Sequence, residues 1–455
     1  MKKIVILVVC VLITTVSFAQ TDLSLEEAIQ IALQRNSALV KSKNLLVGNE
    51  ASVKSAYGDL IPSLGIRSSW GWRRIEDVGG TQIDNIGNPY EAPPTDTETR
   101  DYSVGAGGSV VLFDGLANYA NISSAKRDQE AAELNLDKFK RDIVQNTTIF
   151  YYSILKSKAL LKVREENYKY NQKLLETITE RNRLGSAPIA DLYAQQVQAG
   201  GAEVDMIRAQ NAVDVTQNTL IDYLSLDVLH EYNFVSRIDT VDASNVDQYK
   251  DEFDNVKSMV NYAIQYRTDY QGQQKIVESA DKGITIAQGG FWPSLSGNYG
   301  YSTSAVSVDN LFDRRVWNIS LGLDLPIFSN LNTKTSVEYA KINLLNAEED
   351  LSALKRQIKI EIKQGYLDFE AVSKALEVAI KTVTSASENR RVQYERYSLG
   401  SGTFLEVLQS DRDYQNALSL RIDAEFNFHS SRQALLNSLG KLEYKEYEIN
   451  NDKGE

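Results

Sequence analysis

Four segments of the chain alternate apolar and polar side chains with the two-residue period of a β-strand. The clearest begins at Trp317, after which every second residue up to Ile327 is apolar. This spacing predicts strands with one apolar face at about residues 63–75, 102–113, 293–304 and 315–328. Aromatic residues stand near the strand ends on that face, as they do where a strand crosses the membrane interface. We expect these side chains to face lipid: Trp70, Trp72, Tyr299, Tyr301 and Trp317.

The segments that flank the strands show helical spacing instead. A capping-box pattern of Ser24 and Glu27 opens the first of them, and apolar residues then recur on one face. Two further stretches, 116–184 and 331–399, contain no proline and are rich in Ala, Leu, Glu, Lys and Gln. At about 1.5 Å per residue each would reach on the order of 100 Å as a helix. The sequence therefore predicts a mostly α-helical protein that also carries membrane β-strands.

The sequence also contains an internal duplication. Pro62-Ser63-Leu64 recurs as Pro293-Ser294-Leu295 at an offset of 231, and Leu184-Gly185-Ser186 recurs as Leu399-Gly400-Ser401 at an offset of 215. We assign the extra residues of the first copy to a loop at 76–100, which is rich in turn formers. Each copy reads as helix, β-hairpin, very long helix, tight turn at Gly185 or Gly400, and helix. The predicted divisions are a signal peptide at 1–19, a first repeat at 20–224, a linker at 225–255, a second repeat at 256–440 and a tail at 441–455.

The N-terminal segment has the layout of a secretory signal peptide. Lys2 and Lys3 precede an apolar run that starts at Ile4, and small residues lead to Ala19, after which we place cleavage. Cys10 raises the alternative of a lipoprotein site, but cleavage there would leave almost no apolar region before it. No later stretch approaches the roughly 20 apolar residues of a transmembrane helix. We therefore expect an exported protein without a membrane helix.

The composition excludes several classes of function. Without Cys10 the mature chain has no cysteine, and its histidines are His230 and His429 alone, so neither a thiolate metal site nor a recognisable catalytic centre is indicated. The formal charge of −12 becomes −14 once Lys2 and Lys3 leave with the signal peptide. A chain this acidic is a poor partner for nucleic acid, which needs clustered Lys and Arg. We expect no enzyme and no cofactor.

The four strands are too few to cross a membrane alone. An open sheet edge would leave backbone N–H and C=O groups unpaired in hydrocarbon, and closed barrels begin at about eight strands. One chain supplies four, so it must assemble with copies of itself. Two copies would give a barrel of eight strands, whose interior side chains normally fill, whereas three would give twelve strands and a wide lumen. A conduit favours the homotrimer.

The sequence resembles the TolC-like outer-membrane efflux protein family over essentially the whole mature chain. The resemblance rests on the duplication, on the order of several short motifs along the chain and on the double occurrence of the strand-entry and turn motifs. These motifs are Leu25-Glu26-Glu27-Ala28, Pro62-Ser63-Leu64 with Pro293-Ser294-Leu295, Leu112-Phe113-Asp114-Gly115, and the turns Leu184-Gly185-Ser186 and Leu399-Gly400-Ser401-Gly402.

The resemblance implies a trimer with a 12-stranded β-barrel in the outer membrane of a Gram-negative bacterium and a 12-helix tunnel through the periplasm. It also implies docking of the two turns onto a periplasmic adaptor protein that works with an inner-membrane pump, in efflux or type I secretion. The linker and the tail would surround the middle of the tunnel. The sequence does not choose between drugs, metals and proteins as the cargo.

The same resemblance implies a gate at the periplasmic mouth, where an acidic ring and links among Asp, Tyr and Arg hold the channel closed. Glu406 would form the ring, and Asp191 with Tyr397 would form part of the latch. Gly402 stands where the family has its latch arginine and Gln409 replaces a second acidic residue, so Arg396 or Arg390 would have to substitute. The alternative is that Glu406 and Asp191 only stabilise helix N-termini through the helix dipole.

A soluble periplasmic coiled-coil scaffold or adaptor is the rival interpretation. It would explain the long helices equally well. It would not explain the exposed apolar face that Trp70, Trp72 and Trp317 share on the predicted strands, because a soluble scaffold has no use for such a face.

Overall fold

The computed structural model describes residues 21–235, 249, 251–253 and 255–448. The predicted signal peptide with Cys10, the central part of the predicted linker and the end of the predicted tail lie outside these residues. Within the described ranges, no helix is both long and apolar enough to cross a membrane.

The helices repeat at the two offsets found in the sequence. In the first copy they are α1 (Leu25–Arg35), α2 (Ser37–Gly58), α3 (Ala117–Arg183) and α4 (Ile189–Tyr223). In the second they are α5 (Val256–Tyr266), α6 (Thr268–Gln288), α7 (Asn332–Ser398) and α8 (Phe404–Ser438), with a short α9 (Lys445–Glu448) after them. The long helices α3 and α7 have 67 residues each. The predicted capping box is confirmed, since the Ser24 hydroxyl accepts from the Glu27 N–H and the Glu27 carboxylate accepts from the Ser24 N–H.

The strands are β1 (Thr21–Leu23), β2 (Gly65–Asp77), β3 (Gly80–Ile83), β4 (Pro89–Ala92), β5 (Thr95–Phe113), β6 (Tyr232–Phe234), β7 (Ser294–Ala305) and β8 (Arg315–Asp324). Four long strands form one antiparallel sheet in the order β2-β5-β7-β8. Shorter strands pair as β1 with β6 and as β3 with β4.

The first hairpin is longer than the sequence predicted. β5 begins at Thr95 and not at 102, and β3 and β4 form a small hairpin inside the segment that was expected to be a loop. Cross-strand pairs explain the extension: the Trp72 indole N–H donates to Glu98 at 2.8 Å, and Arg74 forms an ion pair with Asp96 at 2.8 Å. β8, by contrast, ends before the predicted 328, because Pro326 has no N–H to donate to a neighbouring strand.

The chain divides into two compact units. One contains the four-stranded sheet and covers residues 44–134 and 269–354. The other is formed by the described residues within 1–43, 135–268 and 355–455 and contains both helix-hairpin turns. In this second unit β1 pairs in parallel with β6, and the buried Tyr151 hydroxyl lies 3.0 Å from the Leu23 carbonyl oxygen and 2.6 Å from that of Val235. Part of the predicted linker thus forms a strand that packs against α3.

Candidate functional site

One face of the four-stranded sheet is mainly apolar, although the row of Ser68, Val104, Thr303 and Arg315 also lies on it. Ile66, Ala106, Tyr301 and Trp317 lie directly opposite one another on the four neighbouring strands, and residues in such a row share a face. The row at Trp70 and Tyr102 and the row at Gly108, Tyr299 and Ile319 fall on the same side. All five aromatic residues predicted to face lipid are therefore on this face. Trp317 and Ile319 are 79% and 88% exposed, so the described residues leave this part of the face uncovered.

A close approach of β5 to the residues just before β2 fixes Tyr299 on this face. Its side chain lies across Gly108, and its hydroxyl donates to the Ser63 carbonyl oxygen at 2.5 Å. A Cβ atom at Gly108 would lie only 1.6 Å from that oxygen, so only glycine fits there. This contact connects the Pro62-Ser63-Leu64 motif to the strand that enters from the second copy.

The opposite face of the sheet carries mostly glycine and small polar side chains, together with Arg67 and Val316. Its rows contain the following residues: Gly65, Gly107, Gly300 and Asn318 in one, Arg67, Gly105, Ser302 and Val316 in another, and Ser109, Asn298 and Ser320 in a third. The edge strands β2 and β8 have no further strand partner among the described residues. A sheet that is apolar on one side, polar on the other and open at both edges matches a segment of a membrane barrel.

The two turns between paired helices have the same backbone conformation. Gly185 and Gly400 both have φ of +73°, which favours glycine. Behind them the Ser186 N–H donates to the Arg181 carbonyl oxygen at 2.8 Å, and the Ser401 N–H donates to that of Arg396 at 2.9 Å. Leu184 and Leu399 next to these glycines are 69% and 83% exposed, so each tip carries an exposed apolar side chain.

The two helix hairpins are joined near the tips by the predicted pair. The Tyr397 hydroxyl on α7 donates to Asp191 on α4 at 3.1 Å. The Tyr397 ring also packs against Phe404 and borders an apolar cluster of Leu174, Ile178 and Val407. Burial, and then the charge of Asp191, raises the pKa of Tyr397 above its ordinary value, so the phenol stays protonated and can donate.

The cation of this site is one that the sequence interpretation missed. The guanidinium of Arg181 lies 5.0 Å from the centre of the Tyr397 ring, in the geometry of a cation–π contact. Arg396 lies 3.8 Å from Glu406, and Arg390 pairs with Asp411 at 2.8 Å, so neither proposed substitute is the arginine that faces the tyrosine. The duplication held a signal for it, because Arg181 and Arg396 are counterparts at the offset of 215.

Glu406 occupies a helix-capping position. Its carboxylate accepts from the Thr403 N–H at 2.8 Å, and its own N–H donates to the Thr403 hydroxyl, which completes a capping box. The hydrogen bond from the Thr403 N–H lowers the pKa of Glu406, which therefore stays ionised at neutral pH. Gly402 is tightly packed, since a Cβ atom would lie 3.1 Å from Cβ of Arg396 and 3.2 Å from the Tyr397 nitrogen, and a larger residue there would require a small shift of these neighbours.

A buried ion pair lies further from the tips and was not predicted as a functional feature. Arg390 stacks on Tyr170, with its guanidinium 3.8 Å from the ring centre, and pairs with the buried Asp411. Nearby, the Gln195 amide donates to Asn171 at 2.9 Å, so α3, α4, α7 and α8 all supply polar residues to this layer. In the described part of the chain no group of three or more His, Cys, Asp or Glu side chains is arranged to hold a metal ion.

Comparison with known proteins gives one consistent result. A family model described as "Outer membrane efflux protein" matches residues 28–225 and 259–441. The chain is 22% identical over 429 residues to the probable efflux pump outer membrane protein TtgC of Pseudomonas putida, covering 92% of this chain and 83% of the relative. It is 21% identical to the outer membrane protein TolC of Vibrio cholerae, covering 97% and 96%.

Solved structures show the same fold. The outer membrane protein VceC of Vibrio cholerae superposes with a TM-score of 0.74 at 18% identity, covering 91% of this chain and 96% of that one. A crystal structure of CusC gives a TM-score of 0.74 at 17% identity, covering 91% of each chain.

Proposed function

This chain belongs to the outer membrane efflux protein family, and from that premise we propose that three copies form the exit channel of a tripartite efflux system. The chain is an outer-membrane efflux channel that extends into the periplasm of a Gram-negative bacterium. The observation that carries the proposed assembly is the four-stranded sheet, with its apolar face, its Gly- and Ser-rich face and its two open edges.

The sheet supports closure by copies of the same chain. β2 and β8 run antiparallel to each other, because three antiparallel pairings separate them. β8 of one copy therefore continues the antiparallel pattern when it meets β2 of the next. Three copies give twelve strands, and closure satisfies the backbone groups that hydrocarbon would leave unpaired. The apolar face would then meet lipid and the Gly- and Ser-rich face would line the lumen.

The tips support a gate. The bond between Tyr397 and Asp191 joins the two hairpins of one copy, and Arg181 completes the site in the role that the family gives to an arginine at the position of Gly402. Breaking this bond would let one hairpin move relative to the other. Glu406 would contribute one carboxylate per copy to an acidic mouth, which would attract cations. Its capping box orients the carboxylate towards its own helix, so capping and the ring compete for the same group.

The exposed turns support docking of a periplasmic adaptor that connects the channel to an inner-membrane pump. The residues we assign to this contact are Leu184, Gly185, Ser186, Leu399, Gly400, Ser401 and Gly402. Their leucines are the exposed apolar groups next to the tip glycines. Burying exposed apolar side chains contributes favourable free energy to binding, so these leucines suit a contact with a protein partner.

Membrane fractionation followed by mass measurement in detergent tests the proposed assembly. We expect the mature chain in the outer-membrane fraction with the mass of three chains. A monomer in the soluble periplasmic fraction would overturn the proposed assembly and support the interpretation as a periplasmic scaffold.

Replacing Glu406 by Gln tests the acidic mouth separately. The change keeps the size of the side chain and one acceptor oxygen, so we expect an unchanged yield of trimer and a weaker block of the pore by divalent or trivalent cations. Unchanged block would assign Glu406 to helix capping alone.

A further inference from the structure

The helices of the sheet-containing unit form a row whose two ends are open. Lys126 of α3 lies over the ring of Tyr57 on α2, at 5.1 Å from its centre. On its other side α3 meets α6, and α6 then contacts α7 through the Gln273 amide, which lies 3.5 Å from the Ala347 carbonyl oxygen. The order is therefore α2, α3, α6, α7, and it matches the sheet order, in which β2 and β8 are the edges.

The contact between α3 and α6 joins the two repeats and is ionic. Arg127 pairs with Glu278 at 2.9 Å and with Glu130 at 2.8 Å, and Lys275 lies 3.2 Å from Glu130. Beside them the hydroxyls of Ser124 and Ser279 are 2.8 Å apart, with each hydroxyl on one of the two helices.

The duplication relates this contact to a second one. α3 and α7 are counterparts at an offset of 215, and α2 and α6 are counterparts at an offset of 231. On α3 the contact residues are Ser124, Arg127 and Glu130, and their counterparts on α7 are Tyr339, Ile342 and Leu345. On α6 they are Lys275, Glu278 and Ser279, and their counterparts on α2 are Asn44, Val47 and Gly48. A contact of α7 with α2 would therefore repeat the contact of α3 with α6, but α7 and α2 stand at opposite ends of the row.

Four of the six counterpart residues carry large apolar or aromatic side chains that the described residues leave exposed, while the other two are Asn44 and Gly48. Tyr339, Ile342 and Leu345 are 64%, 48% and 63% exposed, and Val47 is 61% exposed. Where the first contact has Arg127 opposite Glu278, the second would have Ile342 opposite Val47. Three apolar side chains at spacings of three residues form a stripe along one side of α7, and such a stripe normally faces another helix.

We infer that α7 of one copy packs against α2 of the next copy, with Ile342 against Val47 and Tyr339 over Gly48. This inference rests on the proposed trimer and specifies its helical seam. A cyclic assembly joins one end of each protomer to the opposite end of its neighbour, and the open ends of the sheet and of the helix row lie on the same two sides. A Cβ atom added at Gly48 would meet no other atom of its own chain within 4 Å, which leaves space for the tyrosine ring.

The two seams would then differ in chemistry although they share a geometry. The seam within the chain is made of ion pairs that are only partly buried, so salt screens them and each contributes little to stability. The seam between copies is apolar, so its burial drives association and is insensitive to salt. A protein that must assemble from separate chains gains most by placing its apolar surface at the intermolecular seam.

Paired cysteines test the inference, because the sequence has no cysteine besides Cys10 in the signal segment. We would make Val47→Cys with Ile342→Cys in the full chain and oxidise the protein in isolated membranes. On denaturing gels without reductant we expect bands with the masses of two and three chains, which collapse to the mass of one chain on reduction. The matched control is Ser124→Cys with Ser279→Cys, whose disulfide lies within one chain and gives the mass of one chain only.

The single variants Val47→Cys and Ile342→Cys separate the remaining outcomes. Multimers from either single variant would show that the same residue meets itself, and this would overturn the inferred seam. A normal trimer in detergent without a disulfide in the paired variant would overturn the seam and leave the proposed channel intact. A monomer in detergent would remove the proposed assembly itself.

Discussion

The two helix-hairpin tips share one backbone and differ in how the helix after the turn begins. After Gly400, Thr403 caps α8 and its partner in the capping box is Glu406. After Gly185, the N-cap of α4 is Pro188, which makes no side-chain cap bond. Asp191 stands at the position equivalent to Glu406, and its carboxylate accepts from Tyr397 of the other hairpin.

This difference shows how a duplicated structure acquires a specialised contact. A carboxylate in the first turn of a helix satisfies a free N–H or favours the dipole in either copy. The N–H of Thr403 donates a hydrogen bond to the carboxylate of Glu406. Pro188 at the other N-cap has neither a hydroxyl nor an N–H, so it cannot donate to Asp191. The first tip therefore has a carboxylate available for the neighbouring hairpin, and the second tip supplies the tyrosine.

The largest expected effect comes from the ion pair that only the second hairpin contains. Asp411→Ala would leave the buried side of Arg390 without its partner, and such a loss costs about 3 kcal/mol. The counterpart of Asp411 in the first hairpin is the exposed Gln196, so Gln196→Ala should change the free energy of unfolding by less than about 0.5 kcal/mol. Urea unfolding of the detergent-solubilised protein measures both, and equal losses would contradict the assigned asymmetry.

Removing the bond between the tips should affect the gate more than the fold. Tyr397→Phe keeps the ring against Phe404 and Arg181 but deletes one hydrogen bond to a charged group, worth about 1.5 kcal/mol per chain. We expect a higher conductance of the resting channel at an unchanged yield of trimer. Ser398→Ala next to it is the control, since that hydroxyl donates to a carbonyl oxygen of its own helix. Equal conductance in Tyr397→Phe and wild type would exclude the latch.

The caps themselves should differ in their sensitivity to substitution. Thr403→Ala removes a capping hydroxyl and should destabilise the protein by about 1 kcal/mol, whereas Pro188→Ala removes no side-chain cap bond and should have a smaller effect. Thermal unfolding compares the two variants. A larger loss for Pro188→Ala would show that the rigidity of proline, and not the capping chemistry, determines how stable the turns are.

The smallest effect is expected from pH in the neutral range. The raised pKa of Tyr397 keeps its hydrogen bond intact below the ordinary tyrosine value of 10.0, and the bond is lost as the pH rises through the raised value. The lowered pKa of Glu406 keeps the capping box intact above the ordinary value of 4.5, and the box is lost as the pH falls through the lowered value. Resting conductance should therefore be constant from about pH 5 to about pH 10 and increase only above that range, as the Tyr397 phenol loses its proton. An increase near pH 7 would assign the gate to a different group.

The sequence predicted the features that repeat or alternate. The strand face that carries Trp70 and Trp317 followed from a period of two, and the helix pairs followed from the two offsets. The extension of β5 to Thr95 was missed, because charged pairs such as Arg74 with Asp96 stabilise it without an apolar pattern. The contact of Arg181 with Tyr397 was missed because it depends on how two separate hairpins pack, which local spacing does not specify.

Single-channel conductance of the purified wild-type protein in a planar bilayer tests the central claim most directly. A closed barrel of three copies with a latched mouth should insert as one unit and show a low, cation-selective conductance. The absence of any conductance from correctly folded, water-soluble monomers would contradict the channel and favour a periplasmic scaffold.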